Sequence, residues 1–76
     1  MNNSRRKMID EAIEKLQEVK ELIEQIVEEE QDALDNLPEG IQESKRGKLM
    51  QNAADNLEEA ADTLEVVLDL LEEAKE

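Results

Sequence analysis

Two tracts of about thirty residues, each apolar at three of every seven positions, leave this chain little to become except long paired helices. In the first tract Ile9, Leu16 and Ile23 stand seven apart. Ala12, Val19, Ile26 and Ala33 lie three beyond this frame, and Ile13, Val27 and Leu34 lie four beyond it. In heptad lettering these are the a, d and e columns. The second tract repeats them with Met50, Leu57, Leu64 and Leu71 at a, Ala53, Ala60, Val67 and Ala74 at d, and Ala54, Ala61 and Leu68 at e. Spacings of three and four alternate and no stretch alternates with period two, which is the helical pattern.

The single proline divides the tracts. Around Asp35-Asn36-Leu37-Pro38-Glu39-Gly40, Asn36 suits a left-handed helix terminus and Pro38 disfavours helix at Leu37. Pro38 to Gln42 is expected to form one short turn, with Leu37 and Ile41 folded over the end of the core. Ser4 or Asn3 is a candidate N-cap for the first helix, and Ser44 for the second. Gly47, inside the first turn of the second helix, suggests close packing. The expectation is an all-α chain forming one domain over residues 1–76: helix 1 at about 5–35, a turn at 36–44, and helix 2 at about 45–75, paired as an antiparallel two-helix hairpin.

A hairpin with helices of about 45 Å covers one seam per helix, and three apolar columns are more than one seam uses. A homodimer forming a four-helix bundle would cover the remainder. Its expected core is Ile9, Leu16, Ile23 and Ile26 from helix 1 with Leu57, Ala60, Leu64, Val67 and Leu71 from helix 2. The pairs Ala53/Ala54 and Ala60/Ala61 are either core or a docking groove. Glu30, at an a position, is either a buried register-setting residue or reaches solvent as the helix drifts.

Composition removes most chemistry. The chain has 76 residues with no Cys, His, Phe, Tyr or Trp. Disulfides, thiolate or imidazole metal sites, a nucleophile–imidazole pair and base-stacking platforms are therefore excluded. The calcium-loop pattern is missing, because Asp32-Ala33-Leu34-Asp35-Asn36 lacks the central Gly and the distal Glu. No enzyme and no cofactor are expected. For so small a chain, oligomerisation or very regular helix packing is the remaining means of stabilisation.

Net charge is −13, with +3 on residues 1–7, −11 on 8–44, +3 on 45–48 and −8 on 49–74. Such a balance opposes direct binding to nucleic acid or to anionic membranes. No apolar run is long enough to span a bilayer, and the amphipathic stretch after Met8 is not a signal-peptide core. Antiparallel pairing is expected to bring Arg5–Lys7 beside Glu72, Glu73 and Glu76, and Lys45–Lys48 beside Glu28–Asp32. Between Leu49 and Ala74 no cation occurs, and Asp55/Glu59, Glu58/Asp62 and Glu65/Asp69 are like-charge i,i+4 pairs. Asp55, Glu58, Glu59, Asp62, Glu65 and Asp69 are thus candidate partner-binding residues. They serve either solubility alone or an anionic face that meets a basic surface.

The segment Asp35-Asn36-Leu37-Pro38-Glu39-Gly40-Ile41-Gln42-Glu43-Ser44-Lys45-Arg46-Gly47, followed by Asp55-Asn56-Leu57-Glu58-Glu59-Ala60, resembles small acidic helical proteins encoded in phages and mobile elements of Gram-positive bacteria. The likeness spans about residues 27–75 and is most specific in the Asn36–Ser44 turn. It brings no catalytic or binding residues with it. The resemblance implies a phage or prophage context and a cytoplasmic location in the bacterial host cell. Two functions are expected. One is an acidic interaction protein that binds, and in doing so inhibits, a basic nucleic-acid-binding or anti-phage defence protein of the host. The other is a structural or assembly module for helical oligomerisation.

Overall fold

A computed structural model describes all of residues 1–76. The chain is all-helical: α1 spans Asn3–Asp35, α2 Glu39–Gln42 and α3 Lys45–Lys75. Helix α1 begins earlier than the expected cap at Asn3 or Ser4. Asn2 is extended and its side-chain oxygen accepts from the Arg5 amide at 2.8 Å. Asn is among the strongest N-caps, and Asn3, one residue inside, instead accepts from Arg6 Nη1 at 3.2 Å.

The end of α1 also departs from expectation. Asn36 is right-handed, at φ −85° and ψ −5°, not left-handed. Its place as terminator is taken by Gln42, whose Nε2 donates to the Asp35 carbonyl at 3.3 Å and the Leu37 carbonyl at 2.8 Å. With these terminal carbonyls satisfied by a side chain, the backbone has no need of a left-handed residue. Leu37 is half-buried over the end of the seam, whereas Ile41 stays exposed.

Helix α3 starts where the sequence places it. Ser44 is extended, and its Oγ accepts from the Gly47 amide at 3.4 Å and donates to the Ile41 carbonyl. Gly47 is buried, and a Cβ built on it would lie on the Gln42 carbonyl and 2.6 Å from the Ile41 oxygen.

Helices α1 and α3 run side by side in opposite directions. The Lys75 ammonium meets the Asp10 carboxylate at 2.7 Å, Arg6 Nε donates to the Lys75 carbonyl at 2.8 Å, and Lys20 meets Glu65 at 3.0 Å. The result is a rod of 58 × 14 × 12 Å. Every buried residue lies in the e column: Ile13 and Leu34 on α1, and Gly47, Ala54, Ala61 and Leu68 on α3. The a column flanks them. Ile9, Leu16, Ile23, Leu57, Leu64 and Leu71 are half-buried.

The expected core therefore divides between two environments. Its a members line the seam, while its d members do not. Val67 is half-buried, but Ile26 and Ala60 are exposed on the rod's surface. Glu30 is half-buried, and no carboxylate oxygen is buried without a partner.

The two glycines make opposite predictions. Gly47→Ala should destabilise the fold by about 1–3 kcal/mol, because backbone rather than a movable side chain occupies the space. Gly40, which has nothing within 4 Å of an added Cβ, lies in helix, so Gly40→Ala should stabilise by about 0.4–1 kcal/mol. Urea melts of the two variants check both signs.

Candidate functional site

The basic clusters at the two helix starts do not form the ion pairs expected of them. Arg5, Lys7, Lys45, Arg46 and Lys48 take part in no salt bridge, and Arg6 bonds to the backbone oxygens of Lys75 and Glu76 rather than to a side-chain carboxylate. A guanidinium placed there satisfies carbonyls that have no intrahelical partner. The cross-helix salt bridges come from Lys20 and Lys75, the two lysines that stand in the e column. Their hydrocarbon stems lie in the seam and their ammonium groups emerge along one side of it. There Lys20 bridges Glu24 and Glu65, and Lys75 bridges Asp10 and Glu72.

That side is the carboxylate face. Along one groove Gln17, Lys20, Glu21 and Glu24 of α1 stand opposite Glu65, Asp69 and Glu72 of α3, over Ile13 and Leu68. The groove continues between Glu24, Val27, Glu28, Gln31 and Asp32 on one wall and Glu58, Ala61 and Asp62 on the other. Lys20 is the only cation lining it. Of the carboxylates singled out in the sequence, Glu58, Asp62, Glu65 and Asp69 line this groove. Asp55 adjoins it and accepts from Gln51 Nε2 at 2.9 Å. Glu59, at position c, lies away from it beside the g column.

The sequence reading missed the contribution of α1: Glu21, Glu24, Glu28 and Asp32. The signal was present in their b, f and c lettering, because antiparallel helices put the same side of the heptad on the same face of the pair. No group of three or more carboxylates is arranged to hold a metal ion, and no helix is long and apolar enough to cross a membrane.

The opposite face is apolar. It carries the d and g columns of both helices, with Val19, Leu22 and Ile26 from α1 and Leu49, Ala53, Ala60 and Leu70 from α3, interrupted at g by Lys15, Glu29, Asn56 and Thr63. Leu22 is 57% exposed and Leu70 59% exposed. Neither helix covers the other's d column, because the seam uses a and e. Comparison with family models, with curated proteins and with solved structures finds no match to the chain.

Hydrogen bonds to Glu65, and next to Glu24, hold the Lys20 pKa above the ordinary lysine value of 10.5. Asp10, and next Glu72, do the same for Lys75. A cation whose folded pKa is raised contributes stability that is fully present below 10.5 and is lost as pH rises through the folded value. Lys20→Met keeps the stem and removes the charge, so it should melt below the wild type at pH 8. The difference should close as pH rises above 10.5 through the raised folded value and the wild-type ammonium deprotonates, and paired melts across that range read it directly.

Proposed function

We propose that the protein is a non-enzymatic acidic interaction protein. Its helical hairpin self-associates through the apolar face as a homodimeric four-helix bundle, and it offers the carboxylate face to a basic surface on another macromolecule. The observation that carries this reading is sidedness. Carboxylates from both helices collect on one face with only Lys20 and Lys75 among them, while the d and g side chains collect on the other.

Surface area supports the self-association. The chain exposes 5774 Å², about 1,000 Å² more than a compact monomer of its mass. Its radius of gyration is 17.3 Å, against about 11 Å for a compact domain of this length. The partner chemistry that fits the groove is a row of Lys or Arg side chains, as on a nucleic-acid-binding or anti-phage defence protein. The phage-like turn supports a setting in the cytoplasm of a bacterial host, where occupying such a surface would inhibit it. The apolar face also favours a second reading, an assembly module whose carboxylates only keep it dispersed.

Two measurements test these readings. Sedimentation equilibrium at micromolar concentration should give the mass of two chains, and a stable monomer would remove the bundle. Basic proteins captured from host lysate should elute as salt rises from about 0.1 M to 1 M, over which the screening length falls from about 10 Å to 3 Å. The quadruple variant Glu58→Gln, Asp62→Asn, Glu65→Gln, Asp69→Asn should capture little. Capture indifferent to both salt and these substitutions would leave the assembly reading in possession.

A further inference from the structure

The apolar face carries a pattern that selects not only a second copy of the chain but its direction. On α1 the d column reads Ala12, Val19, Ile26, Ala33: small, large, large, small about a point midway between Leu22 and Ile23. On the same helix Lys15 and Glu29, both at g, stand seven residues either side of Leu22 with opposite charges. The d column of α3, Ala53, Ala60, Val67, Ala74, is centred midway between Thr63 and Leu64. These two centres lie side by side in the pair, since the bridges Lys20–Glu65 and Lys75–Asp10 fix the register at that level. They also fall at the middle of the rod.

We infer that two copies pack apolar face to apolar face about a two-fold axis perpendicular to the helices at the level of Leu22, so that the turns lie at opposite ends of the bundle. This rests on the self-association proposed above and adds its geometry. In this orientation α1 lies against the partner's α1. Val19 stands at the level of the partner's Ile26, Ala12 at that of the partner's Ala33, and Leu22 at that of the partner's Leu22. Lys15 faces the partner's Glu29, and symmetry repeats the pair.

The alternative, with both turns at one end, puts α1 against the partner's α3. Lys15 then stands at the level of the partner's Leu70 and Glu29 at that of the partner's Asn56. It also joins two acid-rich ends, because the seven carboxylates between Glu28 and Glu43 outweigh Lys45, Arg46 and Lys48 at the turn end of each rod. Opposed turns place each such end beside the more balanced open end, where Arg5, Arg6 and Lys7 lie. Size agrees as well, since a 58 × 14 Å face is of the order of the 800 Å² per partner that stable interfaces bury.

The chain has no cysteine, so a single spin label can be attached at Gly40→Cys, where an added Cβ meets nothing within 4 Å. Opposed turns should give a label separation in the dimer near the 58 Å length of the rod. A separation near 20 Å, about two helix diameters, would overturn the orientation and leave the dimer standing. A monomeric mass with no coupling between labels would overturn the dimer itself.

Charge reversal gives an independent reading. Lys15→Glu and Glu29→Lys should each weaken dimerisation on the order of tenfold, since each converts two attractive exposed pairs into repulsive ones. The double variant should recover the wild-type dissociation constant. If the double variant is no tighter than the singles, these residues do not meet and the orientation fails.

Discussion

The rotation of α3 about its own axis is set at Gly47, and the two faces of the molecule follow from it. Only a residue without a Cβ can sit against the Ile41 and Gln42 carbonyls, and this contact turns position e of α3 inward at the first helical turn. Every seventh residue then follows: Ala54 and Ala61 are small enough for close approach, and Leu68 fills the seam farther along. With e and a committed to the helix–helix contact, d has nowhere to go but outward. Had d been turned in, Lys20 and Lys75 would have lost their position astride the seam.

Those lysines explain how a chain so acidic holds two helices together with few cations. Each reaches carboxylates on both helices, Lys20 joining Glu24 to Glu65 and Lys75 joining Glu72 to Asp10. Exposed pairs of this kind are individually weak, so their main effect is to fix register; packing along the seam supplies the attraction. The cations at the helix starts contribute differently. Arg6 closes the last carbonyls of α3, while Arg5, Lys7, Lys45, Arg46 and Lys48 remain without carboxylate partners at the ends of the rod.

The long helices, the break at Pro38, the Ser44 cap and the tight seat of Gly47 were legible in the sequence because each rests on local chemistry. Asn36 was misread because a side chain from the following turn, Gln42, does the work that a left-handed residue would otherwise do. Which two of the three apolar columns form the seam was not legible either. Columns d and e flank a on either side and both carry apolar residues, so a/d and a/e are mirror choices. The residues that break the tie, Arg6, Lys20, Gly47 and Lys75, look like surface residues or a helix breaker when read singly. Taken as one column, they are the polar and small members of e, and each makes a contact across the seam or into the turn.

Antiparallel pairing gives this choice its functional weight. Reversing a helix also reverses the sense in which its side chains wind, so equivalent heptad positions on two antiparallel partners fall on the same face. A parallel pair would have set the two d columns on opposite sides and diluted both the acidic and the apolar character. Here the b and f carboxylates of both helices add together on one side, and the d and g apolar side chains add on the other. Self-association through the apolar face would leave both carboxylate faces pointing outward, at the greatest separation the bundle allows. The net charge of −13 would then oppose such assembly least at the apolar face, and a basic partner would meet a surface that dimerisation would leave uncovered.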